Sequence, residues 1–224
     1  MTDTTTRRIA KDALYDGFAT IGRALAAGRR AEIVELLAQG ERSVEQVARE
    51  LDQSVANTSH HLRTLARAGL VGSQRSGTHV RYRLASDDVL ELWAAVRRVA
   101  AAQLEGFDEL ATGYLGARDE VEVVDRDEVL DRLARDEVLL VDVRPVAEYA
   151  AGHLPGAISV PPDRLELRDD LPADRDVVAD CRGPYCVYAD DAVRRLHRLG
   201  RRAMRLEDGL PEWRRANGPI AVGG

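Results

Sequence analysis

Apolar residues recur at helical spacing through most of residues 8–70, and after Val121 the pattern changes to short apolar runs between helical stretches. In the first region Ser43 and Gln46 have the spacing of a capping box, and Val44, Val47, Ala48 and Leu51 follow at i, i+3, i+4 and i+7. Ser54 is placed to cap a second helix whose inner face is Thr58, His61, Leu62 and Leu65. Only a few residues join the two, which is helix-turn-helix spacing. Gly69-Leu70-Val71 ends the second helix, and VGSQRSGTHVRYRLA predicts two short strands around Ser76-Gly77. Beyond Ser86-Asp87-Asp88 a long final helix is expected, with Val89, Leu92, Trp93, Val96, Ala100, Leu104, Phe107, Ala111 and Tyr114 on one side. That stripe is longer than so small a domain needs. A dimer seam with the first helix (Ala13, Leu14, Phe18, Ile21) is its natural use, and packing within the chain is the alternative.

In the second region, apolar runs at Val121 to Val124, Val138 to Val143, Ile158 to Val160, Val177 to Ala179 and Ala203 to Leu206 alternate with helical stretches. This is the pattern of an α/β sheet. A chain of 224 residues divides most naturally into two domains, here 1–116 and 117–224. Both cysteines lie in CRGPYC, at the end of the run Val177-Val178-Ala179. A thiol between a strand and a helix meets backbone N–H groups and the positive end of the helix dipole, which stabilise a thiolate.

Composition is that of a globular protein, 45% hydrophobic and 31% charged. No apolar stretch approaches a spanning helix and the first residues lack the core of a signal peptide, so a soluble cytoplasmic protein with no membrane partner is expected. In a reducing compartment two cysteines argue for reactive thiols rather than a structural framework. The net charge of −6 hides a sorting of charge. Residues 1–116 hold 15 basic and 15 acidic side chains, and the excess of acid lies wholly in 117–224. Gln53 to Ser86 has no acidic residue but contains Arg63, Arg67, Arg75, Arg81 and Arg83 beside His60, His61 and His79. Such a window faces phosphates or is simply a solvated basic face. The outer face of the second helix, Asn57, Ser59, His60 and Arg63, suits base edges and phosphates in a major groove, and Arg75, Thr78, His79 and Arg81 lie near the hairpin tip.

SVANTSHHLRTLARAGLV followed by RSGTHVRYRL resembles the recognition helix and wing of ArsR-type winged-helix repressors, over about residues 10–115. The resemblance implies a mainly α winged helix-turn-helix domain and a homodimer on double-stranded DNA with an inverted-repeat operator. DNA contacts would come from Ser54, Asn57, Ser59, His60 and Arg63 on the helix and its cap. The wing would add Arg75, Thr78, His79 and Arg81. Many such repressors sense metals through cysteines in the helix before the recognition helix, or through His and Asp on the last helix. Here the former reads SVEQVARELDQ and the latter has no histidine, so no metal is expected.

DVRPVAEYAAGHLPGAISVP, LEDGLPEWRRANGPI and CRGPYC together resemble a rhodanese domain over residues 118–224. The resemblance implies an α/β fold with a central parallel sheet and no cofactor. It makes Cys181 the nucleophile, which takes sulfur from a small sulfane-sulfur donor, holds it as a persulfide and passes it to an acceptor thiol. Backbone N–H groups from Arg182, Gly183, Tyr185, Cys186 and Val187 would stabilise the anion, and the Arg182 guanidinium would attract an anionic donor. Asp142 and Arg144, with Glu148, are expected to support the site as an ion-pair group. Asp180 opposes a thiolate if its carboxylate points inward. Cys186 is either a small buried side chain opening a helix or a resolving thiol that closes a disulfide. Three function classes follow: a repressor that reads sulfane sulfur or redox state, a sulfurtransferase using its winged helix for dimerisation or targeting, and a regulator with an idle rhodanese fold.

Overall fold

The computed structural model describes residues 2–77, 79–164, 172 and 174–223. They form two compact units, Met1–Ala94 and Ala95–Gly224.

The first unit is built from α1 (Thr2–Leu25), α2 (Gly28–Ala38), β1 (Arg42–Ser43), α3 (Val44–Glu50), α4 (Val55–Arg67), β2 (Val71–Ser76), β3 (His79–Leu84) and the start of α5 (Asp87–Gln103). The capping box forms as its spacing predicts. Ser43 Oγ accepts from the Gln46 N–H at 3.3 Å, and Gln46 Oε1 accepts from the Ser43 N–H at 2.8 Å. Ser54 Oγ accepts from the Asn57 N–H at 3.2 Å and starts α4. Side chains that close one turn at each helix start satisfy N–H groups that have no partner inside the helix. Thr58, Leu62 and Leu65 of α4 are buried with Val47 and Leu51 and with Ile33 and Leu37 of α2. β2 and β3 pair antiparallel from Val71↔Leu84 to Ser76↔His79, and β1 adds on the other side of β3. The result is a helix-turn-helix with a hairpin wing.

The second unit opens with the rest of α5 and α6 (Phe107–Leu115). The sequence pattern predicts one helix through Tyr114. Instead, Gly106 adopts a left-handed conformation, φ 74°, that ends the run and restarts it as α6. The uniform apolar stripe cannot reveal that break, because a glycine inside a helical pattern is compatible with either outcome. There follow β4 (Val123–Val124), α7 (Arg126–Ala134), β5 (Val138–Asp142), α8 (Val146–Ala151), β6 (Ile158–Ser159), β7 (Asp176–Asp180), α9 (Val187–Arg198), β8 (Ala203–Leu206) and α10 (Leu210–Arg215). The strands form a parallel sheet in the order β4-β8-β7-β5-β6. β5 is buried along its whole length and β7 over Val177–Asp180, as strands covered on both faces require. Val141, Val177, Ala179 and Val193 pack on one face, and Leu140, Val178, Met204 and Trp213 on the other. The central strands β5 and β7 end together, Asp142 beside Asp180, and the chain leaves that edge into the cysteine loop.

Candidate functional site

β7 hands over to α9 through Cys181-Arg182-Gly183-Pro184-Tyr185-Cys186, with Cys186 at the N-cap of α9. The two sulfurs are bonded, with Cα atoms 6.3 Å apart and both residues buried. Gly183 has φ 143°, a backbone conformation that favours glycine. The Cys186 N–H donates to the Gly183 carbonyl at 3.1 Å, so it is engaged within the loop rather than held open toward an anion. A second glycine packs on the loop from outside. A Cβ at Gly209 would fall 2.4 Å from the Gly183 nitrogen and 2.6 Å from the Cys181 carbonyl oxygen, so backbone rests on backbone there.

Charged groups ring the loop in pairs. Asp142 and Arg144 are fully buried, and Arg144 donates through Nε and Nη2 to Asp142 at 3.0 and 2.5 Å and to the Gly152 carbonyl at 2.7 Å. The Asp142 carboxylate also accepts from the Arg144 N–H at 2.9 Å. This network fixes the end of β5 and the start of α8. Arg182 is placed otherwise than the sequence leads one to expect. Its guanidinium makes a two-pronged contact with the buried Glu148, at 3.0 and 2.6 Å, and lies over the Tyr188 ring. Its charge is therefore answered within the protein rather than left for an anionic donor.

Asp180 is buried, and no side chain among the described residues hydrogen-bonds its carboxyl oxygens, the Cys181 N–H being the nearby backbone donor. Burial, then the charge of Asp142, push its carboxyl well above the usual carboxylate range, against the opposing effect of Arg144. One guanidinium serves two neighbouring carboxyls, and Asp142 holds the direct ion pair with it. A carboxyl raised in this way opposes a thiolate at Cys181 less than its position in the sequence suggests.

Residues far off in sequence complete the surround. Arg118 donates to the Pro184 carbonyl at 2.8 Å and to Asp190 at 2.7 Å. Phe107 of α6 packs edge-on against Tyr185 with ring centroids 5.8 Å apart. Arg97 of α5 is paired with Glu212 of α10, whose carboxylate also accepts from the Gly209 N–H at 3.2 Å. None of these partners carries a local sequence signal. The Arg97–Glu212 pair spans 115 positions. His153 stacks on Tyr149 and contacts its carbonyl at 2.9 Å.

In the first unit, Ser54, Asn57, His60 and Arg63 stand exposed on α4 and its cap, with Ser59 half-buried beside them. Arg75 and Arg81 are exposed on the wing. Arg75 folds back on the Gly77 carbonyl at 3.2 Å, and Arg81 is shared with Glu41, at 3.2 Å to its carbonyl and 3.5 Å to its carboxylate. Thr78 lies outside the described residues, as does the His79 side chain. His61 is turned inward, and burial, reinforced by Arg30, His60 and Arg29, lowers its pKa below the ordinary histidine value. Among the described residues no helix is long and apolar enough to cross a membrane.

Residues 28–73 match the family described as bacterial regulatory protein, arsR family, and residues 125–216 match the rhodanese-like domain. Over 214 residues, 95% of this chain and 94% of the relative, the chain is 46% identical to the HTH-type transcriptional regulator Rv0324 of Mycobacterium tuberculosis. Over 104 residues, 46% of this chain and 96% of the relative, it is 36% identical to a sulfurtransferase of Allochromatium vinosum. Among solved structures it is similar to the homodimeric winged helix-turn-helix DNA-binding domain of a possible ArsR-family regulator from Mycobacterium bovis. That similarity has 46% identity, 42% coverage of this chain, 88% of the other and a TM-score of 0.41.

Proposed function

The chain belongs to the ArsR-type transcriptional regulators and carries a C-terminal rhodanese domain, and from that premise we propose that sulfane sulfur on Cys181 governs its binding to DNA. In this reading it is a cytoplasmic homodimeric repressor on an inverted-repeat operator. Asn57, Ser59, His60 and Arg63 enter the major groove, Ser54 closes the N-terminus of α4 near a phosphate, and the wing follows the backbone. The large apolar side chains exposed on α1, among them Leu14, Tyr15 and Phe18, are covered by the second copy.

The observation that carries the reading is the bonded Cys181–Cys186 pair, because these are the two cysteines of the chain and both sit in the loop between β7 and α9. Once an external dithiol has reduced the bond, itself becoming a disulfide, the Cys181 thiolate attacks the outer sulfur of a sulfane donor, for thiosulfate displacing sulfite, and becomes a persulfide. Two exits balance. An external thiolate attacks the outer persulfide sulfur, leaving with it and restoring the Cys181 thiolate. Alternatively the Cys186 thiolate attacks Cys181 Sγ, hydrosulfide departs and the disulfide closes. Three loop states follow (thiolate, persulfide and disulfide), differing in charge and covalent connection.

Gel-shift titrations of the reduced, persulfidated and disulfide forms test this. Operator affinity changes between forms in the wild type and is the same after every treatment in Cys181→Ser. Identical affinity in all three wild-type forms sinks the proposal. The similarity to a sulfurtransferase supports a second reading, in which turnover is the main task. Fast cyanide-dependent turnover of thiosulfate favours it, whereas loading that stops at one sulfur per chain favours the sensor.

A further inference from the structure

Arg97 lies in the second half of α5, outside the residues that match either family. Its ion pair with Glu212 is largely shielded, with 13% and 10% of the two side chains exposed. The pair abuts the cysteine loop. A Cβ at Gly183, two residues from Cys181, would stand 3.3 Å from Glu212 Oε2 and 3.4 Å from Arg97 Nη1. The Glu212 charge also reaches the strand end, being one of the influences that raise the Asp180 carboxyl.

The other charged and titratable groups around the loop come from each element packed on it. β7 supplies Asp180, its carboxyl raised by burial, and β5 with its following residues supplies Asp142 and Arg144, paired with each other. α8 supplies Glu148, paired with Arg182 of the loop. α9 supplies Tyr188 and Asp190, the latter held by Arg118, and the loop itself carries Tyr185. Glu212 is thus a carboxylate close to the loop backbone whose charge is answered from α5 alone among the described pairs. Left bare in this shielded setting, it would oppose any anion on Cys181.

We propose that Arg97 is a positioning residue for the Cys181 anion: by covering Glu212 beside Gly183 it permits a thiolate or persulfide in the loop, and it does so from the helix that begins in the winged-helix unit. The second half of this statement rests on the sulfur-responsive reading above. Coupling of this kind is reciprocal. An anion on Cys181 strengthens the hold of the loop on Arg97, and any shift of α5 alters the acidity of the thiol.

The test is the pH profile of Cys181 alkylation by iodoacetamide in the reduced full chain. Cleavage after Arg182 places the two cysteines in separate peptides for mass spectrometry. Arg97→Gln raises the apparent thiol pKa by about one unit, roughly a tenfold loss of thiolate at a pH below it. Arg97→Lys restores most of that loss. Glu212→Gln keeps an acceptor for the Gly209 N–H and lowers the pKa, and the double variant falls between the singles. Opposite signs are the mark of charge, since a merely structural lesion at either position would disturb the loop in one sense. Shifts of the same sign, or none, overturn the proposal, and should Arg97→Gln fail to fold, an unchanged or raised pKa in Glu212→Gln alone does so.

A second arm measures affinity for a DNA duplex selected from a random pool, before and after sulfur loading. An equal response in wild type and Arg97→Gln overturns the α5 route and leaves the regulatory reading standing. No response in wild type overturns both the regulatory reading and the route, and the pH profile then decides the electrostatic role of Arg97 by itself.

Discussion

On α4 the side chains proposed to meet DNA come from adjacent turns of one helix and stand in solvent, whereas the groups around Cys181 come from α5, β5, α8, β7 and α10 and are mostly buried. The two sites therefore answer change differently. An exposed arginine acts through a screened field and can be removed alone at small cost. A buried loop wedged between glycines and ion pairs has no slack, so one methyl group or one charge alters its geometry. The DNA face is a sum of nearly independent parts, and the thiol site is a single assembled object.

The largest expected effect follows from that lack of slack. Gly209→Ala drives a Cβ into loop backbone at 2.4 to 2.6 Å, where no flexible side-chain end can yield. We expect a loss of about 1–3 kcal/mol of stability, read by denaturant unfolding, together with loss of sulfur loading at Cys181. Gly72→Ala, on β2 of the winged-helix unit, meets nothing within 4 Å and is the matched control. It leaves stability within about 0.5 kcal/mol. Equal costs at the two positions would show that the loop has room to move and would erase the contrast.

This difference in construction also decides what could be read from residue order. The capping box at Ser43 and Gln46, the cap at Ser54, the inner face of Thr58, Leu62 and Leu65, and the hairpin are local patterns, and each forms where its spacing puts it. The apolar runs that become β5, β7 and β8 announce themselves in the same way. Cys181 and Cys186 were legible as a pair because both lie within one loop. The partners of that loop were not. Arg182 turning to Glu148, Arg118 reaching Pro184, and Arg97 covering Glu212 depend on how separate elements meet, which no period records. Asp180 shows the same limit. Next to the proposed nucleophile in sequence it reads as an opposing charge, and only burial and the register that sets it beside Asp142, with one arginine for both, raise its carboxyl.

That raised carboxyl makes a prediction of intermediate size. If Asp180 keeps its proton while Cys181 titrates, Asp180→Asn leaves the pH profile of Cys181 alkylation where it is in the wild type. A fall in the thiol pKa would mean that Asp180 carries charge, and would return it to the opposing role. Stability carries a second readout. A carboxyl whose folded-state pKa is raised has its full contribution below the ordinary carboxylate range, and loses it as pH rises through the folded value. Wild-type stability should therefore decline over that interval relative to Asp180→Asn, whose curve lacks this component.

The smallest effects belong to the DNA face, and their smallness is itself informative. If Arg63 and Arg75 each contact a phosphate, alanine at either position lowers the slope of log affinity against log salt by about one unit. Fluorescence anisotropy from about 50 to about 200 mM salt measures it. Arg81 should lose less, because its guanidinium already shares Glu41 and only part of its charge is offered outward. For side chains acting independently, the slope changes of Arg63→Ala and Arg75→Ala add in the double variant. A double variant that loses far more than the sum would mean that helix and wing engage DNA as one coupled unit. The winged helix would then share the assembled character of the thiol loop, and the contrast between the two sites would fail at its exposed end.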